Sequence, residues 1–213
     1  MGFPIFFFLL FCLILSCSYA EHVQDFCVAD YAAPQGPAGY ACKDPAKVSV
    51  DDFVHSGLGV PSNTSNVFKF GFTAAFASNF AALNGLGVSV GRSDIEVGGV
   101  VPIHSHSGAT EVVVIGEGSS IIGGFIASNN KVYQKILNKG DTMVLPQGLY
   151  HFFVNQGKTP AVIFVAFSSE SPTVQLLDTA LFQNDLSTDI IARTTLLDPP
   201  QIQKLKRRLG GTN

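Results

Sequence analysis

Two histidines two positions apart, His104 and His106, precede Glu111 inside the run GGVVPIHSHSGATEVVVIGEG, from Gly98 to Gly118. Imidazoles and a carboxylate gathered this closely are the side chains that hold a divalent cation. In a β-strand alternate residues share a face, so His104 and His106 point the same way. Glu111 lies at an odd offset from His106, and on an unbroken strand it would face away. The small, turn-permissive Ser107-Gly108-Ala109 can break the strand and reset that parity. A fourth candidate lies in GDTMVLPQGLYHFFVN, Gly140 to Asn155, where His151 sits in an aromatic strand. A lone histidine in such a strand is more often a core residue than a ligand. Here Pro146-x-Gly148 supplies a turn able to return this strand antiparallel to the first, so that three imidazoles and one carboxylate meet inside a barrel. This donor set suits a six-coordinate metal with two open positions, whereas zinc is satisfied by four ligands and a closed geometry. One carboxylate against a dication leaves a net positive centre, attractive to small anions and able to change oxidation state with manganese or iron.

The elements that must carry these residues are strands. From Val67 onward short runs of β-branched and aromatic residues alternate with Gly, Asn, Asp or Pro: VFKFGF, GLGVSVGRSDI, GGVVPIHSH, EVVVIGEG, SIIGGFIA, KVYQKIL, DTMVLP, YHFFVN and AVIFVAF. That cadence predicts an all-β sandwich or barrel. Ala127–Lys131 and Asn155–Pro160 read as hairpin connections. Residues 21–50 read as an irregular arm, and residues 51–66 as a loop with a short helix.

The tail is helical in pattern. Asp185 to Arg193 predicts a short helix, and Asp198-Pro199-Pro200 reads as an N-cap with proline in the first turn. QIQKLKRRLGG then places Ile202, Leu205 and Leu209 at helical spacing, with Gly210 at the stop. The expectation is that this apolar stripe packs on a neighbouring subunit, while Lys204, Lys206, Arg207 and Arg208 form a solvated face at the favourable end of the helix dipole.

The first twenty residues, MGFPIFFFLLFCLILSCSYA, read as a signal peptide: an apolar stretch, then the small-x-small pattern Ser18-Tyr19-Ala20. The stretch is too short for a comfortable membrane span. The mature chain is expected to begin near Glu21 and to form a single domain over 21–213. Of the four cysteines, Cys12 and Cys17 leave with the leader, and a secretory route makes a Cys27–Cys42 disulfide the default. Asn63-Thr64-Ser65 is an N-glycosylation acceptor, consistent with the same compartment. His22 and His55 lie in loop-like sequence and read as surface residues, and Asn155 as a structural residue. Charged residues make up only 14% of the chain and the net charge is −3, which gives no footprint for nucleic acid.

Two motifs carry a resemblance. Gly98-x5-His104-x-His106-x4-Glu111-x6-Gly118 is similar to the first cupin motif, and Gly140-Asp141-x4-Pro146-x-Gly148-x2-His151-x3-Asn155 to the second. DFCVAD around Cys27, together with SGLGV, PSNTSN and the terminal LGGTN, resembles plant germin-like proteins, in particular those described as auxin-binding proteins. The resemblance covers essentially the whole mature chain. It implies a cupin jelly-roll barrel with an N-terminal disulfide-tied arm and short C-terminal helices. It also implies one manganese ion per protomer on His104, His106, Glu111 and His151, secretion to the cell wall and apoplast, and a hexamer built as a trimer of dimers.

Three functions from different classes fit that frame: superoxide dismutation at manganese, binding of a small carboxylate such as auxin, and a structural wall protein stapled by its metal. Oxalate oxidation, an activity of true germins, is not expected. In those enzymes two asparagines line the pocket, and the matching positions here are Gly91 and Val101.

Overall fold

The computed structural model describes residues 25–36 and 39–212; the leader and His22 lie outside them. Ten strands make two antiparallel sheets that face each other. They are β1 (Phe70–Ala75), β2 (Ser89–Ile95), β3 (Val100–Ser105), β4 (Glu111–Glu117), β5 (Ile121–Ile126), β6 (Val132–Leu137), β7 (Thr142–Leu145), β8 (Tyr150–Asn155), β9 (Ala161–Phe167) and the short β10 (Gln175–Leu176). One sheet has the order β1-β2-β9-β4-β7 and the other β10-β3-β8-β5-β6. Apart from β1-β2 and β5-β6, neighbours in each sheet are not consecutive in the chain, as in a jelly roll.

The apolar runs form strands because their alternate residues bury on the inner faces. β4 shows this directly: Glu111, Val113 and Ile115 are buried while Val114 is exposed. Inward residues of both sheets join one core that includes Ile95, Val113, Ile121, Leu145, Phe153 and Ile163. Asn155 is fully buried at the end of β8 as a structural clamp. Its Nδ2 donates to the carbonyls of Ile95, Glu96 and Thr159, and its Oδ1 accepts from the Gly157 amide.

The N-terminal arm is tied by the Cys27–Cys42 disulfide. Asn84, on the barrel side, holds the arm in place. Its Nδ2 donates to the Tyr40 carbonyl and its Oδ1 accepts from the Tyr40 amide. His55 is not the free surface residue expected of its loop. Its ring stacks on Phe80 at 5.4 Å, and its Nε2 is buried without a hydrogen-bond partner. The short helical segment in this region is a set of single 3-10 turns, Pro45–Lys47, Val50–Phe53 and Gly57–Gly59.

Three helices follow the barrel: α1 (Leu177–Phe182), α2 (Thr188–Thr195) and α3 (Pro199–Leu209). α1 carried no recognised sequence signal, and α2 begins three residues later than the predicted start. Two expectations for the tail need correction. Ile202 is fully buried against Phe182 and Ile191 of the same chain, with Leu205 and Leu209 beside it, so the stripe of α3 is covered without a neighbouring subunit. Lys206 is 2% exposed, not part of the solvated face. Its Nζ donates to the carbonyls of Asn184 and Thr212, tying the chain before α2 to the chain after α3. Periodicity shows which face is apolar; it does not show what covers it.

Candidate metal centre

The cluster forms at the meeting of the two sheets. His104 comes from the end of β3 and His151 from β8, adjacent antiparallel strands on which the two are direct partners. His106 lies just beyond β3. The Ser107-Gly108-Ala109 break then does more than reset parity on one strand, because it carries the chain across to the opposite sheet. There Glu111 opens β4 with its side chain inward. The Pro146–Gly148 turn brings β8 in: Gly148 adopts φ +77°, and its amide donates to the His106 carbonyl at 2.9 Å. The turn that supplies the fourth side chain is thus bonded to the loop that supplies the second.

All four side chains are buried, and one ligand atom from each lies within 4.8 Å of all the others. Backbone carbonyls fix the rings. His104 Nδ1 donates to the Pro102 carbonyl at 2.8 Å, His151 Nδ1 to that of Leu149 at 2.9 Å, and His106 Nδ1 to that of Thr173 at 2.6 Å. With Nδ1–H committed in this way, each imidazole turns its Nε2 inward. Glu111 Oε2 lies 3.1 Å from His151 Nε2 and 3.3 Å from His106 Nε2. A carboxylate and three inward Nε2 atoms at these distances are held together by positive charge among them, so the donor set fits a divalent metal.

The electrostatics favour the same state. Burial, reinforced by the neighbouring His151, pushes the pKa of His104 down to about 4, keeping it neutral and able to ligate. Burial alone would raise the pKa of Glu111, but the facing His106 and His151 outweigh it and hold the carboxyl at about 2. A neutral imidazole and an ionised carboxylate are the ligating forms.

His104, His106 and Glu111 line a cavity of about 210 Å³ whose other walls are almost wholly apolar. Phe70, Phe72, Phe76, Phe153 and Phe167 contribute rings, and Val101, Ile163, Val165, Pro172, Val174 and Leu176 the remainder, with Ser93 as the additional polar residue. An aromatic series leads inward: Phe76 lies 6.0 Å from Phe72 and 5.8 Å from Phe167, whose ring is 4.9 Å from that of His106. Val101 lies on the wall, offering no hydrogen bond. At Gly91 a β-carbon would meet the Phe72 ring, with Cε2 at 2.7 Å, and Val165 Cγ2 at 3.1 Å. Phe72 thus occupies the space a side chain at position 91 would need. Sequence reasoning found the four converging residues but missed the Thr173 carbonyl that orients His106. A main-chain acceptor on a distant segment leaves no mark on residue type.

Comparison with known proteins agrees with this geometry. A family model described as Cupin matches residues 56–203. The chain is 61% identical to the auxin-binding protein ABP19b of Prunus persica over the full length of both. It is 53% identical to germin-like protein subfamily 3 member 3 of Arabidopsis thaliana, over 97% of each chain. A solved oxalate oxidase in complex with the substrate analogue glycolate superposes with a TM-score of 0.85 at 31% identity, covering 89% of this chain and 96% of that one. Matches over this much of the chain, on a barrel that brings the motif residues together, establish its family: it is a germin-like cupin protein close to the auxin-binding type.

Proposed function

We propose that this chain is a secreted, glycosylated germin-like protein of the apoplast and cell wall. In this reading it holds one manganese ion per protomer on His104, His106, Glu111 and His151 and dismutes superoxide. The observation that carries the proposal is the cavity itself: the ionisable side chains lining it are members of the candidate ligand set. Bound there, manganese supplies one-electron redox chemistry and a positive charge. His104, His106 and His151 present neutral nitrogens, and Glu111 supplies one negative charge, so the loaded centre attracts a small anion. The phenylalanine walls limit water. No amide at positions 91 or 101 fixes the orientation of a dicarboxylate, which argues against oxalate as substrate; superoxide requires no such fixing.

A second reading rests on the same walls. Five phenylalanines beside a cationic floor suit an aromatic carboxylate, and the relatives named auxin-binding proteins bring that ligand class to this chain. In that case the cavity binds without turning over.

The wider proposal includes a hexamer and a glycan on Asn63. On the outer face of the β1-β2-β9-β4-β7 sheet Val90, Val114, Val144 and Phe164 are 38–54% exposed. The pairings Val114↔Phe164 and Val112↔Val144 place this apolar surface side by side across strands, as an assembly surface requires. Asn63 is exposed in its loop.

The deciding experiment uses secreted full-length protein. Superoxide dismutation rising in proportion to manganese content supports the enzyme. Manganese-dependent auxin binding without dismutation supports the second reading. Metal that raises stability and does neither leaves a structural wall protein.

A further inference from the structure

The three candidate ligand histidines are not held alike. His104 and His151 donate from Nδ1 to carbonyls two residues back, at Pro102 and Leu149, so each ring is set by its own strand. His106 donates to Thr173, sixty-seven positions away. Thr173 lies in the segment 168–174 between β9 and β10. That segment is fastened on both sides of the site. Ser168 exchanges bonds with Thr110, the Ser169 carbonyl accepts from Ser89 Oγ, and Thr173 Oγ1 pairs with Ser107 Oγ at 2.7 Å. The residues flanking Thr173 have a second task, since Pro172 and Val174 form part of the cavity wall.

We infer that segment 168–174 is a strap that positions His106, and that it couples whatever fills the cavity to this one ligand. The inference rests on the reading that the four residues hold a metal, because only then does the angle of one ring matter to function. Thr173 is a positioning residue, acting through His106. A body pressing on Pro172 or Val174 moves the carbonyl between them, and with it the ring. The rings of His104 and His151 are bonded to their own strands and not to this segment. Leu176, just beyond it, meets His104 only through the backbone pairing of β10 with β3. Loss of a hydrogen-bond partner behind a metal ligand typically costs roughly 10–100-fold in metal affinity. Partial displacement of the strap falls at the lower end of that range.

The test reads the imidazole nitrogens of the full-length, metal-free protein by nitrogen-15 NMR in mildly alkaline buffer. Wild type is expected to show Nδ1–H tautomers at all three histidines. Pro172→Gly loosens the strap, and Ser107→Ala removes its side-chain tie without touching the wall; each is expected to change the His106 signals while those of His104 and His151 hold. Ser107→Ala, at the surface, keeps the test available should Pro172→Gly fold poorly. Toluene, an apolar filler with no ligating group, is then added to both backgrounds. Ring-current effects act in both, so the strap's contribution is the part of the His106 response present in wild type and lost in Pro172→Gly.

An unmoved His106, three histidines shifting together, or equal toluene responses would overturn the inference. Manganese retention in the same proteins separates this result from the parent reading. Wild type is expected to hold one ion, and Pro172→Gly to hold it roughly 10-fold more weakly. Metal bound with His106 unmoved overturns the strap alone. No metal bound by wild type overturns the parent reading, and the role inferred for the strap falls with it.

Discussion

His104 and His151 are Cα partners across β3 and β8, and their ring centroids lie 4.1 Å apart. Direct pairing on neighbouring strands brings side chains on one face this close, so the distance follows from strand register. The pairing is irregular between Val101 and His104, where β3 shifts register against β8. Bulges of this kind re-aim side chains beside functional sites.

Burial of His104, reinforced by the imidazole of His151 beside it, makes the metal-free protein sensitive to acid. The pKa of His104 in the folded chain is lowered from 6.5 to about 4, so the unfolded chain takes up a proton first as pH falls. Its stabilising contribution is complete above pH 6.5 and is lost progressively toward about pH 4, amounting to roughly 3 kcal/mol. Glu111, lowered from 4.5 to about 2, adds a further loss below pH 4.5. Urea denaturation of chelator-treated protein should show a falling midpoint between about pH 7 and pH 4. A midpoint that stays level across that interval contradicts the account.

The disulfide carries a separate prediction. The loop between Cys27 and Cys42 is rich in Pro and Gly, and closing a loop of this size contributes about 3 kcal/mol in the chain-entropy model. Replacing both cysteines by serine should lower stability by about that amount while Asn84 still pins Tyr40. Equal unfolding midpoints for the variant and the oxidised parent would show that the arm is held by other contacts.

Lys206 separates a buried cation from its exposed neighbours. Lys206→Met keeps the stem but leaves the carbonyls of Asn184 and Thr212 without their donor, and is expected to cost about 1–3 kcal/mol. Lys204→Met, on the exposed face of the same helix, should stay within about 0.5 kcal/mol. Equal effects of the two substitutions in thermal unfolding would refute the structural role of Lys206.

The barrel was legible in the sequence because its strands announce themselves twice, by alternation and by the Gly, Asn and Pro that end them. The candidate site was legible because strand parity aligns His104 with His106, and turn residues supply the crossings that bring Glu111 and His151. What stayed hidden has a common cause. Thr173 acts through a carbonyl, Lys206 finds carbonyl partners, and His55 stacks on Phe80 from a loop. Main-chain acceptors and tertiary neighbours do not depend on residue type, so periodicity and spacing pass over them. The two-residue β10 and the six-residue α1 are too short to show a period at all.

The central claim, that four inward side chains hold a transition metal, is tested most directly by counting metal in wild type and Glu111→Gln side by side. The substitution keeps the volume of the side chain and removes its charge. Wild-type protein purified without chelator should carry one manganese ion per chain. Glu111→Gln should remain folded and hold the metal more weakly than wild type, by at least the roughly 10–100-fold typical of losing a partner behind a ligand. A wild-type protein that is folded and active with no bound transition metal, or a glutamine variant that retains manganese as tightly as its parent, would contradict the account.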